Sequence, residues 1–251
     1  MNLVVIKFGG SSLDGNTKLI KSAKKAISFL NDYEKVVVIV SAQGNTTDKL
    51  LKEAKELNSE PDKRELDMLL STGEQVACSK FTIALQSMGY KATSLTGWQA
   101  GILTDSNYTQ TKIQNIYTDR IWELLETNQI VVIAGFQGID VNKDITTLGR
   151  DGSDTTAVSI SAALNQDKCY IFTDVNGIYD KDSHKYKNAK KIGQISYEDM
   201  TKLVENGAKV LHGRCIKIAQ KYGIEIIVNS TNGNDGGSCV KGYNKITNES
   251  T

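Results

Sequence analysis

The chain has 251 residues, 39% of them hydrophobic and 24% charged, with a formal net charge of +1. That is the composition of a soluble globular protein near the upper size of a single domain, with enough apolar material for a large core. The near-neutral balance excludes the basic field that draws proteins to nucleic acid or anionic membrane. The four cysteines, Cys78, Cys169, Cys215 and Cys239, are widely spaced without a C-x-x-C pair, which argues against zinc and disulfide frameworks.

Short apolar runs alternate with longer amphipathic stretches. Leu3–Phe8 predicts a buried strand, followed by Gly9-Gly10 and a helix over Thr17–Leu30. Lys35–Val40 is β-branched almost throughout and gives the strongest strand signal. A helix over Asp48–Leu57 is separated by the polar stretch around Pro61 from a second one over Glu65–Met88. Then come a strand at Lys91–Leu95, a helix at Tyr117–Thr127, a strand at Gln129–Ala134, and an alanine- and serine-rich helix at Asp154–Leu164. Lys168–Thr173 reads as a strand, Ser196–Asn206 and Gly213–Lys221 as helices, and Glu225–Val228 as the last strand, before a polar, glycine-rich tail from Asn229 whose end is expected to fray.

Alternating strands and helices predict an α/β fold with a mostly parallel sheet covered on both faces. Ligands of such folds bind in the loops at the carboxyl ends of the strands. Four strands are followed there by glycine, hydroxyl or carboxylate clusters: Gly9-Gly10-Ser11-Ser12, Ser41-Ala42-Gln43-Gly44, Gly135-Phe136-Gln137-Gly138 and Thr173-Asp174. The basic clusters Lys18–Lys25 and Lys185–Lys191 are mixed with other residues and read as solvated faces. No apolar run approaches the ~20 residues that span a bilayer. Met1–Lys7 lacks the pattern of a signal peptide, and unpaired thiols suit the cytoplasm, so a cytoplasmic protein is expected.

Four motifs carry chemistry. Lys7-Phe8-Gly9-Gly10-Ser11-Ser12 ends a strand in a lysine and lets backbone N–H groups approach a phosphate, although alone it fits a strand-to-helix turn with a solvated lysine equally well. It is not a Walker A loop. Thr147-Leu148-Gly149-Arg150-Asp151-Gly152-Ser153-Asp154-Thr155-Thr156-Ala157 sets an Arg-Asp pair between glycines at a helix start. Ser153 or Asp154 can cap that helix, and Arg150 can grip a carboxylate with two parallel hydrogen bonds. A capped surface turn is the competing reading. Ile171-Phe172-Thr173-Asp174-Val175-Asn176-Gly177-Ile178-Tyr179 offers polar groups at a strand end and then a turn; alone it is a β-turn more often than a nucleotide site. Glu74, in Ser71-Thr72-Gly73-Glu74, could meet a substrate ammonium, and alone reads as a solvated carboxylate.

In order and spacing these motifs resemble the catalytic domain of aspartokinases, in the amino-acid kinase superfamily. Thr46-Thr47-Asp48, Ile195-Ser196-Tyr197 and Gly207-Ala208-Lys209-Val210-Leu211-His212 extend the likeness, which runs from Leu3 to Val240. The resemblance implies a three-layer αβα sandwich, the amino-acid kinase fold, and transfer of the γ-phosphoryl of Mg-ATP to the β-carboxylate of L-aspartate. Lys7 would neutralise the transferring group and Asp154 would orient that lysine. Arg150 would hold the substrate α-carboxylate and Glu74 its ammonium, with Thr47, Phe136 and Ser153 lining the same pocket. Gly9, Gly10, Ser11, Gly152, Thr173, Asp174, Tyr179 and Lys209 would form the ATP site. No protein residue is assigned as a metal ligand; Mg²⁺ would come with ATP. His184 and His212 carry no sign of a hydrolytic triad, and His212 is expected to support a helix start.

The chain departs from the family pattern in its nucleotide half. Asp151 replaces a glycine of the family's Gly-Arg-Gly-Gly-Ser-Asp, and an inward carboxylate ~5 Å from a phosphate would cost about 3 kcal/mol. Asp182-Ser183-His184 replaces Asp-Pro-Arg, exchanging a permanent cation for a titrating one. His212-Gly213-Arg214 replaces His-Pro-Arg. The sequence stops where typical aspartokinases continue into regulatory ACT domains, so one catalytic domain over 1–251, without feedback inhibition by lysine or threonine, is expected. A homodimer and a separate regulatory subunit both remain compatible. The competing functions are a related kinase for another small amino acid or carboxylate, and a weakly catalytic regulatory paralogue.

Overall fold

The computed structural model describes residues 2–150, 152–181, 185–186, 188–208, 210–233 and 236–242. Asp151, His184 and Lys209, each singled out above, lie outside the described residues, as does the end of the tail.

The strands are β1 (Leu3–Phe8), β2 (Lys35–Val40), β3 (Ala92–Leu95), β4 (Ile102–Thr104), β5 (Ile113–Ile116), β6 (Ile130–Ala134), β7 (Gln137–Ile139), β8 (Ile145–Thr147), β9 (Lys168–Thr173), β10 (Ile178–Tyr179), β11 (Lys191–Ile192), β12 (Gln194–Ile195), β13 (Glu225–Ser230) and β14 (Ser238–Val240). The helices are α1 (Gly10–Leu13), α2 (Gly15–Ser28), α3 (Thr46–Leu57), α4 (Lys63–Ser87), α5 (Asp119–Thr127), α6 (Gly152–Ala163), α7 (Tyr197–Glu205) and α8 (Gly213–Tyr222), with a 3₁₀ turn at Phe29–Asn31.

Eight strands form the main sheet in the order β12-β14-β13-β9-β1-β2-β6-β3. Every neighbouring pair is parallel except β13–β14. Successive side chains of a strand point to opposite faces, so a strand buried on both must be apolar throughout. Val5, Val37, Ile39, Val131, Ile133 and Ile171 pack on one face with α5, α6, α7 and α8. Val4, Ile6, Val36, Val38, Ile130 and Val132 pack on the other with α2 and α4. This is the expected three-layer αβα arrangement. Phe8 closes the second layer at the end of β1, its ring 5.6 Å from Phe81 and 5.1 Å from Phe172. The stack fixes the strand end that carries Lys7. Phe8→Ala is expected to cost about 3–5 kcal/mol.

Helix ends follow local chemistry. Asp62 caps α4 by accepting from the N–H groups of Arg64 and Glu65. His212 caps α8 through its ring and Arg214 N–H, as its position suggested. Two expectations need correction. The polar tail after Asn229 contains a strand, β14, and β13 runs on to Ser230. A second sheet, β5-β4-β7-β8, has no counterpart in the sequence reading. Its strands are three or four residues long, too short for a clear alternation.

Candidate active site

The strands β9, β1, β2 and β6 are neighbours and parallel, so the loops after Thr173, Phe8, Val40 and Ala134 gather at one sheet edge. Alternation along β1 sends Lys7 to the face of Val5, Val37 and Ile39, which α6 covers. The first turn of α6 presents Asp154 there. Lys7 Nζ lies 2.6 Å from Asp154 Oδ1, an ion pair with both side chains almost sealed from water. Oδ1 has no aligned hydrogen-bond donor, so charge rather than hydrogen-bond geometry holds the contact. The mutual attraction of a buried pair is largely offset by the loss of hydration. Its significance here is that it keeps an ammonium in a low-dielectric site beside the loops.

Glu74 approaches from α4. Gly73 makes this possible, because a Cβ there would come 2.9 Å from the Ala42 Cβ. Ala42 N–H donates to Glu74 Oε1 at 3.0 Å, and Oε2 has no partner among the described residues. Burial pushes the Glu74 carboxyl from its ordinary 4.5 up to about 8, opposed by the Ala42 N–H and by the charge of Lys7. Near neutral pH this carboxyl therefore keeps its proton, and a cation brought to its unpartnered oxygen would displace it.

Phe136 adopts φ 69°, an unusual conformation for an aromatic residue. Its N–H donates to Thr156 Oγ1 at 3.0 Å, and its carbonyl accepts from Leu148 N–H at 2.8 Å. Gly152 sits so close that an added Cβ would lie 2.9 Å from the Phe136 ring. Phe136, Ser153 and the start of α6 therefore form one block, with Ser153 and Phe136 both buried. Thr47 stands half-buried in the first turn of α3, and Arg150 is exposed in the loop before α6.

The nucleotide-side candidates are more open. Gly10 is tied to the loop after β2, its carbonyl accepting from Gly44 N–H at 2.9 Å, and Ser11 is exposed. The Gly9 N–H is engaged by the Phe172 carbonyl at 2.9 Å, which corrects the expectation that this amide is open to a phosphate. The next amides, of Gly10 and Ser11, begin α1, where a helix has no internal partner for its N–H groups. Thr173 donates its hydroxyl to Asp174 Oδ1 at 2.9 Å and is linked to Ser12 Oγ through its carbonyl at 3.4 Å. Tyr179, half-buried on β10, gives its hydroxyl to Asn176 Oδ1.

The Ala42 amide and Thr156 hydroxyl lie within quoted motifs but were given no role there; only the fold brings them to Glu74 and Phe136. No cluster of three or more His, Cys, Asp or Glu side chains suited to a metal occurs among the described residues. A separate cavity of about 520 Å³ lies between β5, α6 and α8; it is lined by Ile113, Ser159, Ala162 and Arg214 and excludes Lys7, Glu74 and Asp154.

Residues 2–230 match the profile of the amino acid kinase family. The chain belongs to this family. Among this family's members it is 46% identical over 241 residues to an aspartokinase of Bacillus sp. (strain MGA3), which covers 96% of this chain and 59% of that one. The chain thus spans under two thirds of the length of the curated relatives it matches. Its fold superposes on the aspartate kinase from Synechocystis with a TM-score of 0.84 at 38% identity, over 96% of this chain and 40% of that one. Aspartokinase III of E. coli, solved with aspartate and ADP, gives a TM-score of 0.85 over 97% of this chain and 65% of that one; at 23% identity it speaks for the amino acid kinase fold alone. No described helix is long and apolar enough to cross a membrane.

Proposed function

We propose that this amino acid kinase transfers the γ-phosphoryl group of MgATP to the β-carboxylate of L-aspartate, forming 4-phospho-L-aspartate and ADP. The observation that carries the reading is the unpartnered Glu74 Oε2, buried beside the Lys7–Asp154 pair. An amino acid placed there gives its ammonium to Glu74 and turns its side-chain carboxylate toward Lys7. Arg150 takes the α-carboxylate in a fork geometry that a lysine would not match. Thr47, Ser153 and Phe136 close the pocket. The 46% identity to an aspartokinase supports aspartate over other small acids.

The chemistry asks little of acid–base groups. One carboxylate oxygen of the substrate attacks the γ-phosphorus, the bond from that phosphorus to the β–γ bridging oxygen breaks, and the electron pair leaves on ADP. No proton needs to be removed from the nucleophile. Catalysis is then alignment and neutralisation of charge on the transferring phosphoryl oxygens. Lys7 supplies the neutralising cation, and Asp154 fixes its ammonium in place. The amides of Gly10 and Ser11 suit phosphate oxygens, as does the start of α6 beyond Gly152, whose own N–H is taken by the Gly149 carbonyl at 3.1 Å. Thr173, Asp174 and Tyr179 border the nucleoside end, with Lys209 joining them by its position in the motif. Mg²⁺ would arrive with the nucleotide and supply further neutralisation of the phosphate charge. The unpaired cysteines support a cytoplasmic, reducing setting.

Hydroxylamine trapping tests the reading. Purified protein with MgATP and L-aspartate should yield aspartyl hydroxamate, and Lys7→Ala should abolish it. Hydroxamate formed with another amino acid in place of aspartate would move the substrate assignment. No product with any acceptor would sink the kinase reading.

A further inference from the structure

The loop that delivers Arg150 is held by two charged side chains from opposite directions, neither of them in the site described above. Asp67 on α4 is fully buried, two helical turns before Glu74. Its carboxylate accepts from Thr147 N–H at 2.9 Å, from the Thr147 hydroxyl, and from Thr109 N–H at 2.9 Å. On the other side, Arg214 in the first turn of α8 donates through Nη1 to the Leu148 carbonyl at 2.7 Å and to the Thr111 carbonyl at 3.4 Å. Between them, Thr111 donates its N–H and its hydroxyl to the Thr147 carbonyl at 3.0 and 2.8 Å. Gly149, at φ 75°, completes the seam, since a Cβ there would lie 2.9 Å from the Thr109 carbonyl oxygen.

Thr147 is thus bonded to Thr111, Leu148 is linked to Thr111 through Arg214, and Gly149 packs against Thr109; Arg150 follows without an intervening residue. A surface turn needs no such apparatus. A buried carboxylate is costly, and among the described residues the donors to Asp67 are Thr109 and Thr147, none of them on α4 itself. The arrangement sets the position of one backbone stretch.

We propose that Asp67 and Arg214 are positioning residues that fix where Arg150 presents its guanidinium, acting through Thr147 and Leu148, and so set the affinity for the acidic amino-acid substrate. This rests on the reading that Arg150 grips the substrate carboxylate. Asp67→Asn turns an amide NH₂ against donors that require an acceptor. Thr147→Val removes one donor at nearly constant volume. Arg214→Gln removes the charge and shortens the reach to Leu148.

The experiment measures KM for aspartate, KM for MgATP and kcat for these variants, alone and combined with Arg150→Ala, with thermal unfolding recorded alongside. The expected result is a rise of about tenfold in KM for aspartate, with KM for MgATP within about twofold, and no further rise when Asp67→Asn or Thr147→Val is added to Arg150→Ala. If Arg150→Ala leaves KM for aspartate unchanged, the underlying reading of the site falls and the proposal falls with it. If Arg150→Ala raises KM but the clamp variants do not, or add their full effect on top of it, the proposal alone is overturned. Should Asp67→Asn fail to fold, Thr147→Val and Arg214→Gln decide the matter by the same comparison.

Discussion

The proposed acceptor end and the proposed nucleotide end of this site are built differently. At the acceptor end, Lys7, Glu74, Phe136, Ser153 and Asp154 are all under 10% exposed and all but Ser153 are bonded to another element, while Thr47 is half-buried and Arg150 stands exposed at the rim. At the nucleotide end, Thr173 and Tyr179 are half-buried, while Asp174 and Ser11 are exposed. Electrostatic interactions strengthen as water is excluded, so charges at the first end are strongly coupled and those at the second are screened. A phosphoryl-transfer site gains from this division. The reacting groups need fixed positions, whereas a nucleotide must also leave. The departures from the aspartokinase pattern, Asp151 and Asp182-Ser183-His184, belong to motifs that the resemblance assigns to the nucleotide.

The largest effect should come from the acceptor end. Lys7→Ala is expected to lower kcat on the order of 10³-fold, because Lys7 is the one Lys or Arg buried among the described residues. KM for MgATP should change far less. A kcat within about tenfold of wild type would show that the sealed end does not carry the chemistry. Glu74→Gln comes next, with KM for aspartate raised about a hundredfold through loss of the ammonium partner.

Glu74 also ties function to stability, and the sign follows from its pKa. The unfolded chain titrates near 4.5 and the folded protein near 8. The folded form thus holds its proton more tightly, and this contribution is complete below 4.5 and lost as pH rises through 8. Glu74→Gln should therefore be about 1–3 kcal/mol more stable than wild type at pH 8.5. At pH 5 the two should nearly coincide. A gap of equal size at both pH values would show that the Glu74 carboxyl is not perturbed in the unliganded protein. Binding gives a second readout. An arriving ammonium stabilises the carboxylate, so aspartate binding near neutral pH should release close to one proton, falling well below half a proton near pH 9. Calorimetry in buffers of different ionisation enthalpy measures this directly.

The two ends also differ in how far the sequence alone reveals them. The centre of the main sheet was legible because its strands are buried on both faces, which forces uninterrupted runs such as Leu3–Phe8 and Lys35–Val40, while β14 and β12 at one edge were missed. The four-stranded second sheet was not, since β7 and β8 form a hairpin of three-residue strands that carry no period of their own, and β4 joins β7 from far back in the chain. The motif spacing located the Lys7 and Asp154 candidates, and their pairing is a consequence of alternation along β1. The state of Glu74 was hidden. It depends on an Ala42 amide supplied by a different loop and on an oxygen left without a partner. Asp67 reads as one more surface charge on a long helix until the fold buries it.

The smallest expected effect tests the open end. The Tyr179 hydroxyl is bonded to Asn176, so its contribution to a nucleotide is indirect and partly solvated. Tyr179→Phe keeps the ring, removes that bond, and should raise KM for MgATP by about two- to fivefold, in line with a net hydrogen bond worth about 1 kcal/mol. Neither kcat nor KM for aspartate should move. The effect should also be insensitive to Glu74→Gln, because the ends communicate through the bound nucleotide's phosphates and not through the nucleoside. A loss of a hundredfold or more would mean that the Tyr179 hydroxyl is enclosed once nucleotide binds. The contrast between a sealed acceptor end and a screened nucleotide end would then hold only for the unliganded protein.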